Sequence, residues 1–164
     1  MRLATSQEIP AIEEIYRQSR EHAFRVGHID WPEQFPNGFF EDLILNSELH
    51  CFEEGDSLVA AARLTDADNP EVWSDQSKPF LYIGKLATGD QVRGKNYIAD
   101  IAIPAFAEEA RSRGKIGLRL NCLADNPNLI NYYKRLGFAV TGVASIDSKL
   151  MDQQVVCTAL EIAV

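Results

Sequence analysis

The 164 residues, 46% apolar and 24% charged, are enough to bury one core without disulfide or metal staples. A formal charge of −8, from 16 basic against 24 acidic side chains, argues against nonspecific nucleic-acid binding and is compatible with a cationic acceptor. No apolar run is long enough to span a bilayer, and Met1-Arg2-Leu3-Ala4-Thr5 passes into polar Gln7 and Glu8 without an apolar leader, so a cytoplasmic protein with no membrane partner is expected.

Arg2-Leu3-Ala4 reads as a short strand. Ile9, Ile12, Ile15 and Tyr16 then recur at helical spacing, and the amphipathic helix should run to about Gly27. Thr5-x-x-Glu8 is a capping-box pattern, whereas Pro10 belongs in a first turn and favours a start near Glu8. A loop with Trp31, Pro32, Phe35 and Pro36 leads to a second short helix, Phe39 to Leu45. Leu49–Glu54 and Ser57–Thr65 flank Gly55-Asp56 as a hairpin. Asp66 to Lys78 is a polar excursion.

Pro79 to Thr88 reads as an apolar central strand covered on both faces. A glycine-containing turn precedes a helix expected over Asn96 to Arg113, where Pro104 should produce a kink or bulge. Ile116–Leu123 alternates as a strand, Asn128–Leu136 is a helix stopped by Gly137, and Phe138–Ser145 and Met151–Ile162 should pair antiparallel. Cys51, Cys122 and Cys157 are widely spaced within apolar segments and read as buried thiols, with no metal site. The order is that of one mixed α/β domain over residues 1–164.

The stretch Leu86-Ala87-Thr88-Gly89-Asp90-Gln91-Val92-Arg93-Gly94-Lys95-Asn96-Tyr97-Ile98 takes a strand through a basic turn into a helix. The first N–H groups of a helix lack internal partners, and the helix dipole adds positive potential, so such a junction suits an anion. The segment resembles the pyrophosphate loop of the GNAT superfamily of acetyl-CoA-dependent N-acetyltransferases, Arg/Gln-x-x-Gly-x-Gly/Ala after a Leu-x-Val strand end. The resemblance implies that the backbone of Leu86, Ala87 and Thr88 binds the pantetheine arm of acetyl-CoA. It also implies that Arg93, Gly94, Lys95, Asn96, Tyr97 and Ile98 form the phosphate loop. Asn96 and Ile98 depart from the glycine pattern; asparagine tolerates left-handed backbone, and the Ile98 side chain must point away from the phosphates. A register beginning at Gln91 is the alternative alignment.

The second match is Asn126-Pro127-Asn128-Leu129-Ile130-Asn131-Tyr132-Tyr133-Lys134-Arg135-Leu136-Gly137-Phe138, similar to Asn-x-x-Ala-x-x-x-Tyr-x-x-x-Gly-Phe of the same family with Leu129 in place of alanine. The resemblance implies that Asn126 contacts the pantetheine amides and that Tyr133 is the general acid for the leaving thiolate. It further implies a GNAT-like fold with a mixed sheet of about seven strands flanked by about four helices. A homodimer is compatible with it.

The central strand lacks the carboxylate that many relatives use as a base, and Glu33, Glu41, Asp42, His28 and His50 are unassigned candidates. Trp31, Phe35 and Tyr82 are the expected acceptor contacts. Phe39 and Phe40 would help shape that pocket, and Asp30 would add charge. Three readings stay open: acetylation of a small-molecule amine, acetylation of a protein or peptide, and an acyl-CoA-binding module without turnover.

Overall fold

The computed structural model describes residues 1–28 and 31–164; Asp30 lies outside the described residues. Seven strands form one sheet: β1 (Arg2–Leu3), β2 (Leu49–Glu54), β3 (Ser57–Thr65), β4 (Phe80–Thr88), β5 (Gly117–Leu123), β6 (Ala139–Ser148) and β7 (Gln153–Ala163). Their order is β1-β2-β3-β4-β5-β7-β6. Among the described residues only β4 and β5 pair in parallel; the other neighbours are antiparallel. Four α-helices flank the sheet: α1 (Ile9–Arg25), α2 (Phe39–Leu45), α3 (Ile103–Ser112) and α4 (Pro127–Arg135).

Both start signals of α1 operate. A 3-10 turn over Ser6–Glu8 carries the Thr5–Glu8 capping box, and Pro10 then sits in the first turn of the α-helix proper. Pro104 takes its expected toll as a π-helical turn over Ile98–Ala102, after which the proline falls in the first turn of α3, where its missing N–H leaves no gap. The expected continuous helix from Asn96 is therefore two segments.

Side chains along a strand alternate between faces, and this sorts the core. On β3, Ala60 and Ala62 pack with α3 and α4 residues such as Phe106, Ala110 and Tyr133, while Ala61 packs with Ile12, Tyr16, Phe40 and Leu43 of α1 and α2. Where that face continues over Phe80, Tyr82 and Ala159, the 66–79 excursion covers it through Trp73. Beneath it Arg119 is buried between the Trp73 and Phe80 rings, 4.7 and 4.1 Å from their centroids. Its guanidinium donates to Glu161 (3.0 Å), the Tyr82 hydroxyl (3.0 Å) and the Asp75 carbonyl (2.7 Å). A buried cation persists only when so paired.

Gly117 opens β5 where a side chain cannot fit: an added Cβ would lie 2.3 Å from the Ile162 carbonyl oxygen and 2.6 Å from Phe80 Cε1. Because the first obstacle is backbone, Gly117→Ala should lower stability by about 1–3 kcal/mol. In urea unfolding the midpoint should fall at unchanged slope; an unchanged midpoint would show that β7 yields freely.

Candidate active site

The site is built on a failure of pairing. β4 and β5 are in register from Phe80↔Gly117 to Ile83↔Leu120 and then part, while β4 stays with β3 out to Ala60↔Thr88 and β5 stays with β7 out to Leu123↔Cys157. The stretch from Gly84 to Thr88 thus presents its β5-facing edge to an open slot. A bulge accompanies the parting. Ala61 pairs with Ala87 and Arg63 with Gly84, so Ala62 stands opposite two residues, Lys85 and Leu86. An extra residue bends its strand and increases local twist, here turning β4 from its partner. Lys85 takes φ +54, and its carbonyl accepts a 2.5 Å hydrogen bond from the buried Tyr16 hydroxyl on α1.

From the end of β4 at Thr88 the chain runs directly into the junction before α3. Gly94 and Asn96 both have left-handed backbone, φ +76 and +55, which reverses the chain tightly enough to aim its amides outward. Among the described residues the N–H groups of Gly94, Asn96 and Ile98 donate no hydrogen bond. Open strand edge and unpaired amides are the features that a pantetheine-linked pyrophosphate requires, so these residues fit acetyl-CoA.

The expected cofactor residues divide by what their side chains do. Ile98 and Leu86 pack against the core and Tyr97 is buried against Phe52, which turns the awkward Ile98 branch away from the loop. Ala87 is buried on the α1 side. Lys95 is exposed, whereas the Arg93 guanidinium folds back onto Asp90 and donates to the Thr88 carbonyl at 3.0 Å, tying the loop to the strand end. Asn126 has a role the sequence reading missed although Asn-Pro is a helix-start signal: its side-chain oxygen accepts from the Leu129 N–H (3.1 Å) as the N-cap of α4. Only its amide nitrogen remains to face a ligand.

Tyr133 is 6% exposed, packed on Phe138 and Tyr132 with ring centroids 5.5 and 5.7 Å away. Burial pushes its pKa far above the usual tyrosine value, the nearby Cys122 adding to the shift, so the hydroxyl keeps its proton across the working pH range.

On the acceptor side the expected side chains already have partners within the protein. Tyr82 is 1% exposed, lies under Trp73, and its hydroxyl accepts from Arg119, so it braces the sheet. Phe35 is largely an internal contact, within 5.1 Å of Tyr16, Phe39 and Phe40 between ring centroids. Trp31 is half-buried with its edge on Tyr16, and the amine near its ring is the protein's own, Lys85 Nζ at 5.9 Å. Beside it Asp68 meets Arg63 (3.5 Å) and Asn121 (3.3 Å), with bare Gly84 between those two rows. His50 is buried on the α3 face against the Glu48 carbonyl, away from the slot, and Glu41 and Asp42 are exposed on α2. Two surface hollows of about 470 and 490 Å³ lie elsewhere, one by His50 and Arg113, the other between α1 and the β2–β3 hairpin. The slot is a cleft between strands, edged by backbone groups.

The three cysteines are buried and none forms a disulfide; no cluster able to hold a metal and no helix long and apolar enough to cross a membrane occurs among the described residues.

Residues 9–138 match the family model for the acetyltransferase (GNAT) family. No curated protein sequence matches the chain. Among solved structures, the GNAT-family acetyltransferase from Listeria monocytogenes superposes with a TM-score of 0.78 at 16% identity, covering 99% of this chain and 93% of that one. A putative acetyltransferase from Salmonella typhimurium, solved with its cofactor acetyl-CoA, gives 0.64 at 18% identity over 99% and 91%. A ribosomal-protein-alanine N-acetyltransferase from Brucella melitensis gives 0.68 at 17% over 99% and 98%. The chain belongs to the GNAT family of acetyltransferases.

The Asn126 cap and any ligand contact can be separated by substitution. Asn126→Ala should lower stability by about 1 kcal/mol, whereas Asn126→Asp, which keeps an accepting oxygen, should melt like the parent. Equal melting temperatures for the alanine variant and the parent would refute the cap.

Proposed function

We propose that this GNAT acetyltransferase transfers an acetyl group from acetyl-CoA to a primary amine of a small molecule by direct attack, with residues 1–164 acting as one catalytic domain. The observation that carries the donor half is the parting of β4 from β5 in front of a loop with unpaired amides. In this reading the backbone of Leu86, Ala87 and Thr88 binds the pantetheine arm. The unpaired amides of Gly94, Asn96 and Ile98 hold the pyrophosphate, with Arg93 and the Lys95 N–H bond to Val92 bracing the loop, and the Asn126 amide nitrogen closes the other wall. Acetyl-CoA supplies an acetyl group already activated as a thioester.

The chain's own task is then to orient both reactants and to manage a proton. In this reading Tyr133 offers its hydroxyl to the slot from α4, and burial keeps that hydroxyl neutral. A thiol titrates near 8.5 and an unperturbed tyrosine near 10, so complete transfer from Tyr133 to a thiolate is uphill, more so once burial raises the tyrosine. Its useful act is to offer the O–H as a hydrogen-bond donor where negative charge gathers on sulfur, the proton being made good from the amine.

Trp31 on one side and the 66–79 excursion on the other border the acceptor face, which favours a compact amine over a polypeptide. The Brucella neighbour, named for ribosomal-protein alanine, motivates a protein acceptor as the second reading. The missing β4 carboxylate motivates an acyl-CoA-binding module as the third.

Calorimetry with acetyl-CoA should give saturable one-to-one binding, and a panel of small amines should contain one that drives thiol release. Tyr133→Phe should then lower turnover by about 100-fold while leaving acetyl-CoA affinity nearly unchanged. Parental turnover in that variant would remove Tyr133 from the mechanism, and binding without thiol release from any amine or peptide would favour the third reading.

A further inference from the structure

β4 carries a single charged side chain, Lys85, for which the transfer reaction above has no use. Three features separate it from the other lysines of the chain. Its backbone is fixed at the bulge by the Tyr16 hydroxyl, so its side chain leaves the strand at the place where β4 and β5 part. Its amine stands beside the Trp31 ring, the position in which an external amine acceptor was expected. It is also half-buried, whereas Lys78, Lys95, Lys134 and Lys149 are exposed and Lys115 is paired with Asp66 at 3.1 Å.

That amine belongs to the first stretch of β4 that β5 no longer pairs, and charged groups surround it. Arg63 on β3, Asp68 just beyond β3, and Cys157 on β7 all act electrostatically on Lys85. β7 lies beyond β5, so groups from both sides of the opening act on this amine. Burial lowers the Lys85 pKa from the usual lysine value and Arg63 adds to this, while Asp68 and Cys157 oppose it; the Tyr16 hydroxyl is committed to the Lys85 carbonyl. A partly desolvated amine held beside its electrophile is a nucleophile of high effective concentration.

We propose that Lys85 is a built-in acetyl acceptor, modified by the enzyme's own donor, and that its acetylation closes the acceptor side of the slot. The unprotonated Nζ bonds to the acetyl carbon, the carbon–sulfur bond breaks, and the proton lost by nitrogen ends on the departing thiolate, giving one acetyl-lysine and one CoA. The ammonium beside Trp31 becomes a neutral, bulkier acetamide in the path of an incoming amine. The inference rests on the donor half of the function proposed above.

The full-length protein is incubated with acetyl-CoA and no amine, followed by intact-mass spectrometry and peptide mapping, with calorimetric binding of CoA measured in parallel. A single acetyl group should appear on Lys85 at least about tenfold faster than on exposed Lys149. The preference should vanish in denaturing urea and under excess CoA. The rate should rise with pH and level off below the usual lysine range, near 10.4, because only the unprotonated amine reacts. Lys85→Arg keeps a cation beside Trp31 and should bind CoA yet gain no such acetyl group. CoA binding with Lys85 unmodified, or acetyl groups spread evenly over the lysines, would overturn this inference and leave the donor site standing. Absence of CoA binding would sink both.

Discussion

A parallel strand pair that stops pairing halfway leaves two rows of backbone donors and acceptors with nothing to bond, and a folded chain tolerates that only if something else satisfies them. Here the parting is enforced from both sides. β3 holds β4 to its last residue, and β7 holds β5 to its last residue, so the slot is the consequence of two antiparallel partners pulling in different directions. The extra residue at Lys85 and Leu86 supplies the bend, and the Tyr16 hydroxyl fixes the carbonyl that the bend displaces. Remove that constraint and the open strand edge, the course of the following loop and the position of the Lys85 amine all change together.

Charge is used economically around this opening. Arg119, the buried cation nearest the sheet centre, is wholly committed to Glu161, Tyr82, the Asp75 carbonyl and two aromatic faces, and in return it pins the 66–79 excursion where a helix would otherwise be needed. Arg93, which by sequence looked like a phosphate ligand, braces the loop internally. What is left for an anion is mostly backbone N–H, in keeping with the acidic balance of the chain: a helix terminus can attract phosphate without any excess of basic side chains.

Most of the secondary structure was legible because each element carries its own period and punctuation. The hairpin and the second helix end where Gly55-Asp56 and Phe39–Leu45 say they should, and Pro104 announced the π turn. The run at β4 misled in one respect: read as uniformly apolar, it hid a lysine whose presence marks the bulge. Tyr82 misled in another. Its place on the acceptor face follows from alternation, yet whether that face is open depends on Trp73, nine residues earlier in a segment with no regular period of its own.

The sequence by itself determined the family-level chemistry: the basic turn before a helix, the Asn126–Tyr133–Gly137–Phe138 spacing, and the order of strands and helices are local patterns, fixed by neighbours a few residues apart. Tertiary structure decided which of those groups remain available. Asn126 gives its oxygen to a helix cap, Arg93 turns inward, Tyr82 is sealed, and Lys85 arrives beside Trp31 from a strand far along the chain. Those outcomes depend on hydrogen bonds and burial between elements remote in sequence, which no local pattern encodes, because a side chain's availability is set by what the rest of the fold has already bonded to it.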